Sequence, residues 1–579
     1  MCDFGFAVGR VLTFAVCLFI AGVVSACHRG PSRRAADATK PMATRPASVT
    51  NARDDVRAEP LPDVLPSPSQ VVGAVPPPNT PSDARRSATN GGGIRLLLEA
   101  EPAHLNPLLE TDASASQISV GTIYESLISC AGPSFGYLPA LADSWQVSLD
   151  GLHIVLHLRS GVRWHDGHTL NVLDVQASLE PLLVANSVSP PFLRSTVDEI
   201  ASLEMLPERS VRLNLKRPSD YALRALCDVP ILPDHLLRGP NADPGLLAKQ
   251  PIGTGPFRFQ GWDRGKRIRL TRFGEYWGQT ARLDEVTFEF DADGARALSR
   301  TRRGEVDVLL RVLPMYYPTE VDSVTLHGSL SLVRTVPERW AYVAVNHRHG
   351  PLGDAAFRRS LSGLWDRDRF ARDLHRGLAH PLRSAPYAPM DGLAQDGRAQ
   401  AVKGLEDNGY RDSNADGVRD VNGVPIHLSL LFAAGSRSAT TESRAFVLES
   451  RKAGLLVDAV PMDSAALMAR VKKGDYDLAL MLWEGRADED PSHLFGSTGA
   501  FNHFGYRSPE VDGLLDGLRA ASGPVARAPI VATLTATLAR DQPVLFLYRF
   551  DRLMLVANRV HGLAALGDHL DLQRTWTDP

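Results

Sequence analysis

At 579 residues the chain exceeds what one hydrophobic core usually organises, and its 44% hydrophobic content is that of an ordinary soluble protein, so two or three packed domains are expected. Its 63 basic residues nearly balance 66 acidic ones, for a net charge of -3. That balance leaves no basic field of the kind that draws nucleic acid and argues against a nucleic-acid partner.

The chain opens with Arg10 ahead of the apolar run Val11 to Val24. The run is shorter than the roughly 20 residues of a membrane-spanning helix and reads as an export signal that is cut away. It closes on Val24-Ser25-Ala26-Cys27, and small residues before such a cysteine resemble the lipobox of bacterial lipoproteins. The resemblance implies that residues 1–26 are removed and that Cys27 carries a diacylglycerol. An ordinary signal peptide with a coincident cysteine is the alternative. Cys2 and Cys17 would leave with the signal, so Cys130 and Cys227 remain in the mature chain. An oxidising compartment and an even number permit a disulfide, while two buried free thiols stay open as the other reading.

From His28 to Gly93 the chain is rich in Pro, Ala, Ser, Arg and Asp, with Pro76-Pro77-Pro78 and a closing Gly91-Gly92-Gly93. Such a composition cannot build a core. Residues 27–93 therefore read as a tether with an end-to-end distance on the order of 45 Å, suited to holding a globular body off a membrane.

From Ile94 onward, strand and helix patterns alternate. Ile94 to Leu98 reads as a strand, Ser114 to Leu127 has helical spacing, and Leu152 to Leu158 and Ser210 to Lys216 alternate as half-buried strands. Interleaving of this kind argues an α/β or mixed α+β fold. Trp164-His165-Asp166-Gly167 forms a turn after a strand, and the helix behind it has Asn171 as its cap and Asp174 three residues on.

Gly253-Thr254-Gly255 lacks the rest of a phosphate loop, and Pro256 with Phe257-Arg258-Phe259 favours a tight turn into a strand. Asp412 to Asp420 has the oxygen spacing of a calcium loop, yet Gly423 stands where the bidentate glutamate is needed. His347 and His349 flank Arg348 and are open to two readings, ligands for a metal or haem or, the favoured one, solvated loop histidines. With no CxxC, no HExxH helix and no nucleophile motif, neither a metal, a cofactor nor an enzyme site is expected.

A set of segments, in order, resembles the dipeptide-, oligopeptide- and nickel-binding extracytoplasmic proteins that serve ABC importers. It comprises Leu105-Asn106-Pro107, Ile123-Tyr124-Glu125-Ser126-Leu127, Leu138 to Trp145, Leu158 to Gly167, Pro251 to Phe257, Tyr276-Trp277 and Gly304-Glu305-Val306-Asp307. Asn346, Phe357-Arg358-Arg359-Ser360, Gly474 to Asp477, Asp490-Pro491 and Tyr506 to Asp512 continue it. The resemblance implies a two-lobed periplasmic-binding-protein fold of the peptide-binding type, with an extra subdomain in the first lobe and a hinge of two crossings. Residues 94–312 with 541–579 would form the first lobe and 313–540 the second. It further implies a monomer in the cell envelope, on the periplasmic or extracellular face, that delivers a peptide or small solute to importer permease subunits and is not an enzyme.

In peptide-binding members a tryptophan lines the cleft and an aspartate shortly behind it pairs with the ligand's ammonium group. Trp483 matches, but the aspartate position falls on Ala487 or Arg486 according to the end counted from, and Asp488 is displaced by one. Trp483, Asp488, Arg486 and Asp490 are the candidate ligand contacts, with Asn346 and His347 added from the inferred hinge strand. Two other readings remain: an envelope lipoprotein that contacts a protein partner through the same fold, and a cell-wall peptide hydrolase.

Overall fold

Gly93–Leu98 is buried along its apolar side chains and pairs in parallel on both edges, with Glu285–Phe290 and with Val308–Leu309. A strand flanked in this way reads as a near-continuous apolar run, and Ile94 to Leu98 is apolar except for Arg95. The computed structural model describes residues 90–109, 113–130, 136–184, 191–238, 244–321, 326, 328–335, 339–387, 397–484, 489–521, 523–566 and 569–578. The export signal, Cys27, most of the tether, Arg486 and Asp488 lie outside those residues.

Seven strands form the first sheet, in the order Leu330–Thr335, Arg552–Ala557, Val308–Leu309, Gly93–Leu98, Glu285–Phe290, Arg267–Arg272 and Phe257–Asp263. Asp307 locks its ends together: it accepts the Arg95 backbone N–H at 2.8 Å and pairs with the Arg559 guanidinium at 2.8 Å. A second sheet of six strands runs Ala379–Pro381, Val544–Phe550, Arg339–Val345, Leu478–Glu484, His427–Ala433, Leu456–Met462. A separate antiparallel sheet, Ala142–Val147, His153–Leu158, Ser210–Leu215 and Ile200–Leu206, is the extra subdomain. His153–Leu158 alternates half-buried and buried residues, as its sequence pattern requires.

The chain passes between the large sheets twice, between Thr335 and Arg339 and between Phe550 and Arg552. The expected crossings near residues 312 and 541 lie elsewhere. After Val312 a short 3-10 turn, Pro314–Tyr316, precedes Leu330–Thr335, which returns to the first sheet as its edge. Val544–Phe550 is instead an inner strand of the second sheet, between Ala379–Pro381 and Arg339–Val345. An apolar run announces burial but not the sheet that supplies it.

The helix expected over Ser114 to Leu127 ends at Ser119. Gly121 has a positive φ of 77° that stops it, and Ile123, Tyr124 and Leu127 are buried in the segment that follows. Here the backbone approaches the Gly253-Thr254-Gly255 turn so closely that a Cβ on Gly253 would stand 1.8 Å from the Ile123 carbonyl oxygen. Thr254, Tyr276 and Trp277 all donate to the Glu125 carboxylate, at 2.8, 2.7 and 3.0 Å. Burial pushes the Glu125 pKa up against these hydrogen bonds. Nearby, His165 accepts the Gly253 N–H on Nδ1 and donates from Nε2 to the Gly255 carbonyl. The Asn171 cap forms with Asp174 as its reciprocal partner, and the helix behind it spans Val172–Leu183. Several motifs that carry the family resemblance are thus internal joints of the first lobe.

Cys130 and Cys227 form a disulfide, their Cα atoms 5.8 Å apart across 97 residues of sequence. In the Asp412 to Asp420 loop the carboxylates serve the backbone: Asp412 accepts from Asp416 and Gly417, and Asp420 from Ser413 and Gly423.

Candidate functional site

Helix Asp220–Asp228 carries Tyr221, Arg224 and Asp228 at positions i, i+3 and i+7, a spacing that sets them on one face. Arg224 pairs with Asp228 at 3.0 Å and donates to the Cys130 sulfur at 3.2 Å, so the disulfide backs this face. Beside it, Ser195 and Thr196 end the short helix Pro191–Thr196. Glu199 is buried and held by two hydrogen bonds of 2.8 Å from Arg217.

The opposite wall comes from the second sheet's lobe. Trp483, near the end of Leu478–Glu484, donates its indole N–H to Glu489 and meets Phe501 edge-on with ring centroids 5.4 Å apart. Asp490 is buried; one oxygen accepts the Ser492 N–H at 2.9 Å and the other accepts from Arg519, also at 2.9 Å. His493 completes the wall, and burial holds its pKa below the usual histidine value.

These residues enclose one cleft between the lobes, with about 30 Å³ of free space, room for a few water-sized groups. Among the described residues its lining includes four carboxylates, Glu199, Asp228, Glu489 and Asp490, and one cation, Arg224. Beside the cleft the lobes touch directly. Arg519 Nε lies 3.2 Å from Glu199, the Arg217 and Asp516 side chains approach to 3.8 Å, and the Arg527 guanidinium sits 4.6 Å over the Tyr221 ring and donates to its hydroxyl.

Residues 136–503 match the family described as bacterial extracellular solute-binding proteins, family 5 Middle. The chain belongs to this family. It is a solute-binding protein of the peptide/nickel type and not an enzyme. It is 24% identical over 505 residues to the oligopeptide-binding protein AppA of Bacillus subtilis, covering 83% of this chain and 91% of that one. It is 26% identical over 433 residues to the di/tripeptide-binding protein 2 of Pseudomonas aeruginosa, covering 70% and 79%. The solved structure of Bacillus subtilis AppA in complex with a nonapeptide superposes with a TM-score of 0.70 at 22% identity, over 85% of this chain and 100% of that one. NikA from Brucella suis in complex with Fe(III)-EDTA gives 0.71 at 19% identity, over 84% and 100%. The two-lobed fold of this solute-binding protein is that of both structures.

The cleft contains Trp483 and Asp490 but not Asn346 or His347. Asn346 is fully buried and donates to the carbonyls of Gly474 and Tyr476, at 3.0 and 2.9 Å. His347 donates from Nε2 to the Pro543 carbonyl at 2.8 Å, and burial pushes its pKa down to about 4. Both follow the strand Arg339–Val345, in which Trp340 is the partner of Trp483. Six residues of strand separate Trp340 from Asn346, roughly 20 Å. Both side chains therefore act in packing at the far end of the ladder. His349 is likewise engaged, its Nδ1 3.1 Å from Asp477. Arg486 and Asp488 fall in the undescribed stretch between Trp483 and Glu489.

Sequence reasoning missed the whole first-lobe wall. One signal was available: Tyr221, Arg224 and Asp228 share a helical stripe that mixes an aromatic residue with an opposed charge pair. Nothing in the local pattern marked Glu199 or Phe501.

Proposed function

We propose that this protein is a lipid-anchored receptor that captures a peptide, or another small solute with a cationic group, between its two lobes and delivers it to the permease of an ABC importer. The observation that carries this reading is the interlobe cleft, walled by Tyr221, Trp483 and Phe501 and, among the described residues, by four carboxylates against one arginine. Aromatic faces and carboxylates both favour an ammonium group. The names of the relatives, which bind oligopeptides and di- or tripeptides, support the same solute class.

In this reading the lobes part to admit the ligand and close around it. The two crossings, 335–339 and 550–552, are the hinge in this reading, with residues 339–550 moving as one lobe. Cys27, once acylated, holds a monomeric body on the outer face of a membrane through the tether. Among the described residues no helix is long and apolar enough to cross a membrane.

Mass spectrometry of whatever co-purifies with the soluble body from Gly93 onward tests the solute, and calorimetry of the identified compound tests its affinity. Recovery of a cationic or peptide-like molecule that binds again with one-to-one stoichiometry is the expected result. A solute with only anionic groups would overturn the assigned class. Fatty-acid labelling that is lost in Cys27→Ser tests the anchor, and unlabelled parent protein would remove it. One observation favours the envelope interaction lipoprotein: beside the cleft the lobes meet through their own ion pairs. On that reading no solute co-purifies and none from a peptide library binds.

A further inference from the structure

The turn Asp166-Gly167-His168 and the short helix Asp234–Leu237 meet on the first lobe. His235 Nε2 lies 2.7 Å from Asp166 Oδ2, and His168 Nδ1 lies 3.2 Å from Asp166 Oδ1. The two imidazoles stack with centroids 4.0 Å apart and planes 25° apart. Two ring nitrogens therefore converge on the two oxygens of one carboxylate, and one ligand atom from each residue lies within 4.8 Å of the others. Among the described residues this is the group of three ligating side chains so gathered.

A structural Asp–His hydrogen bond accounts for His235 alone. It does not account for a second imidazole stacked on the first and aimed at the same carboxylate, since each ring can satisfy its nitrogen in water: the His168 side chain is 61% exposed. A divalent ion would replace both N–H hydrogens and bind the two nitrogens and the carboxylate at once. In a tetrahedron with bonds of about 2.0–2.1 Å the ligand atoms stand about 3.3 Å apart, within the 4.8 Å this group spans, and rotation of the exposed His168 ring can supply the adjustment.

The other two ligands are already held. His168 returns its backbone carbonyl to the Trp164 N–H at 2.9 Å, and Gly167 closes the turn at a positive φ of 91°. The His235 segment is tied down by the Asp234 N–H, which donates to Asp174 Oδ1 at 2.7 Å, and by Arg238, which donates to the Asp234 carboxylate at 2.7 Å. Asp174 is also the residue that completes the Asn171 cap. Preformed backbone on both sides lowers the cost of ordering a metal site.

We propose that Asp166, His168 and His235 form a binding site for a divalent ion of the zinc, nickel and copper class, separate from the interlobe cleft. Two imidazoles and one carboxylate suit these borderline ions, whereas calcium and magnesium require oxygen ligands. Water fills the remaining positions. Bound metal would cross-link the turn to a helix 69 residues further along the chain.

The test titrates the full-length protein with zinc sulfate by calorimetry and with cobalt(II) by visible absorption, beside His168→Ala and His235→Gln. The parent is expected to take up one equivalent, to show the d–d bands of low-symmetry cobalt and to melt at higher temperature with zinc. His168→Ala, altered at an exposed side chain, should melt like the parent without metal yet bind at least about a hundredfold more weakly and gain no stability from zinc. His235→Gln should lose the same equivalent. Trp483→Ala, in the cleft, should retain it. A parent that binds no zinc, or variants at His168 and His235 that bind as the parent does, would overturn the proposal, as would loss of the equivalent in Trp483→Ala.

Discussion

Arg519, in the helix Pro509–Ala520 of the second lobe, places its Nε 3.2 Å from the Glu199 carboxylate of the first. The same nitrogen donates to Asp490 in its own lobe at 2.9 Å, so one guanidinium holds two buried carboxylates across the cleft. Glu199 has a second cation in Arg217, whereas Asp490 relies on Arg519 and one backbone N–H. Removing Arg519 therefore leaves Asp490 the worse served.

Arg519→Ala is expected to lower stability by about 3 kcal/mol in chemical denaturation, because a buried carboxylate loses its charge partner. Glu199→Gln keeps the shape and removes only the attraction across the cleft. Small-angle scattering should show a larger radius of gyration for both variants than for the parent. An unchanged radius in both would mean that this contact does not hold the lobes together.

On the proposed reading, Asp488 and Arg486 set the sign of charge that the solute presents. With a cationic ligand in a poorly hydrated cleft, Asp488→Asn should weaken binding by about 2–5 kcal/mol, and Arg486→Ala should change it by well under about 1 kcal/mol. The reverse order of effects points to a carboxylate-bearing solute, which guanidinium recognises with paired donors. Calorimetry with the co-purified compound separates these results.

The Cys130–Cys227 bond closes a loop of nearly a hundred residues, and restricting so long a loop in the unfolded chain is worth about 4.7 kcal/mol in the chain-entropy account. A Cys130→Ala, Cys227→Ala variant, or the parent after reduction, should lose about 2–5 kcal/mol of stability. Because Arg224 donates to Cys130 from within the cleft wall, ligand affinity should fall with it. Matched denaturation curves with and without reductant would expose an inert bond.

His165 is boxed between Gly253 and Gly255, and burial pushes its pKa down to about 4; His347 is held down to about 4 in the same way. Between pH 6.5 and 4 the unfolded chain takes up protons that these native histidines refuse. Stability should therefore fall as pH drops through that window, by on the order of 1 kcal/mol per pH unit for each histidine. His165→Gln should flatten the slope between pH 6.5 and 5 in denaturation midpoints. A slope equal to the parent's would show that His165 does not titrate as its burial requires.

What the sequence by itself determined is what depends on near neighbours. The alternation over His153–Leu158 and the Asn171–Asp174 cap were legible because a strand's period and a helix's free amides involve only residues a few positions apart. The family was legible because Gly253, Glu125 and Asp307 are residue types that a close approach or a buried joint demands. Tertiary structure alone decided which sheet took Val544–Phe550, that Cys130 meets Cys227, and that Asn346 donates to the Gly474 and Tyr476 carbonyls. It alone assembled the cleft, where the Asp220 carboxylate accepts the backbone N–H of Gly523 from 303 residues away and Glu199 faces Arg519. A local pattern records that a side chain is apolar or charged and on which face it stands; which distant face it meets is set by how whole sheets pack, and no period in the chain encodes that partner.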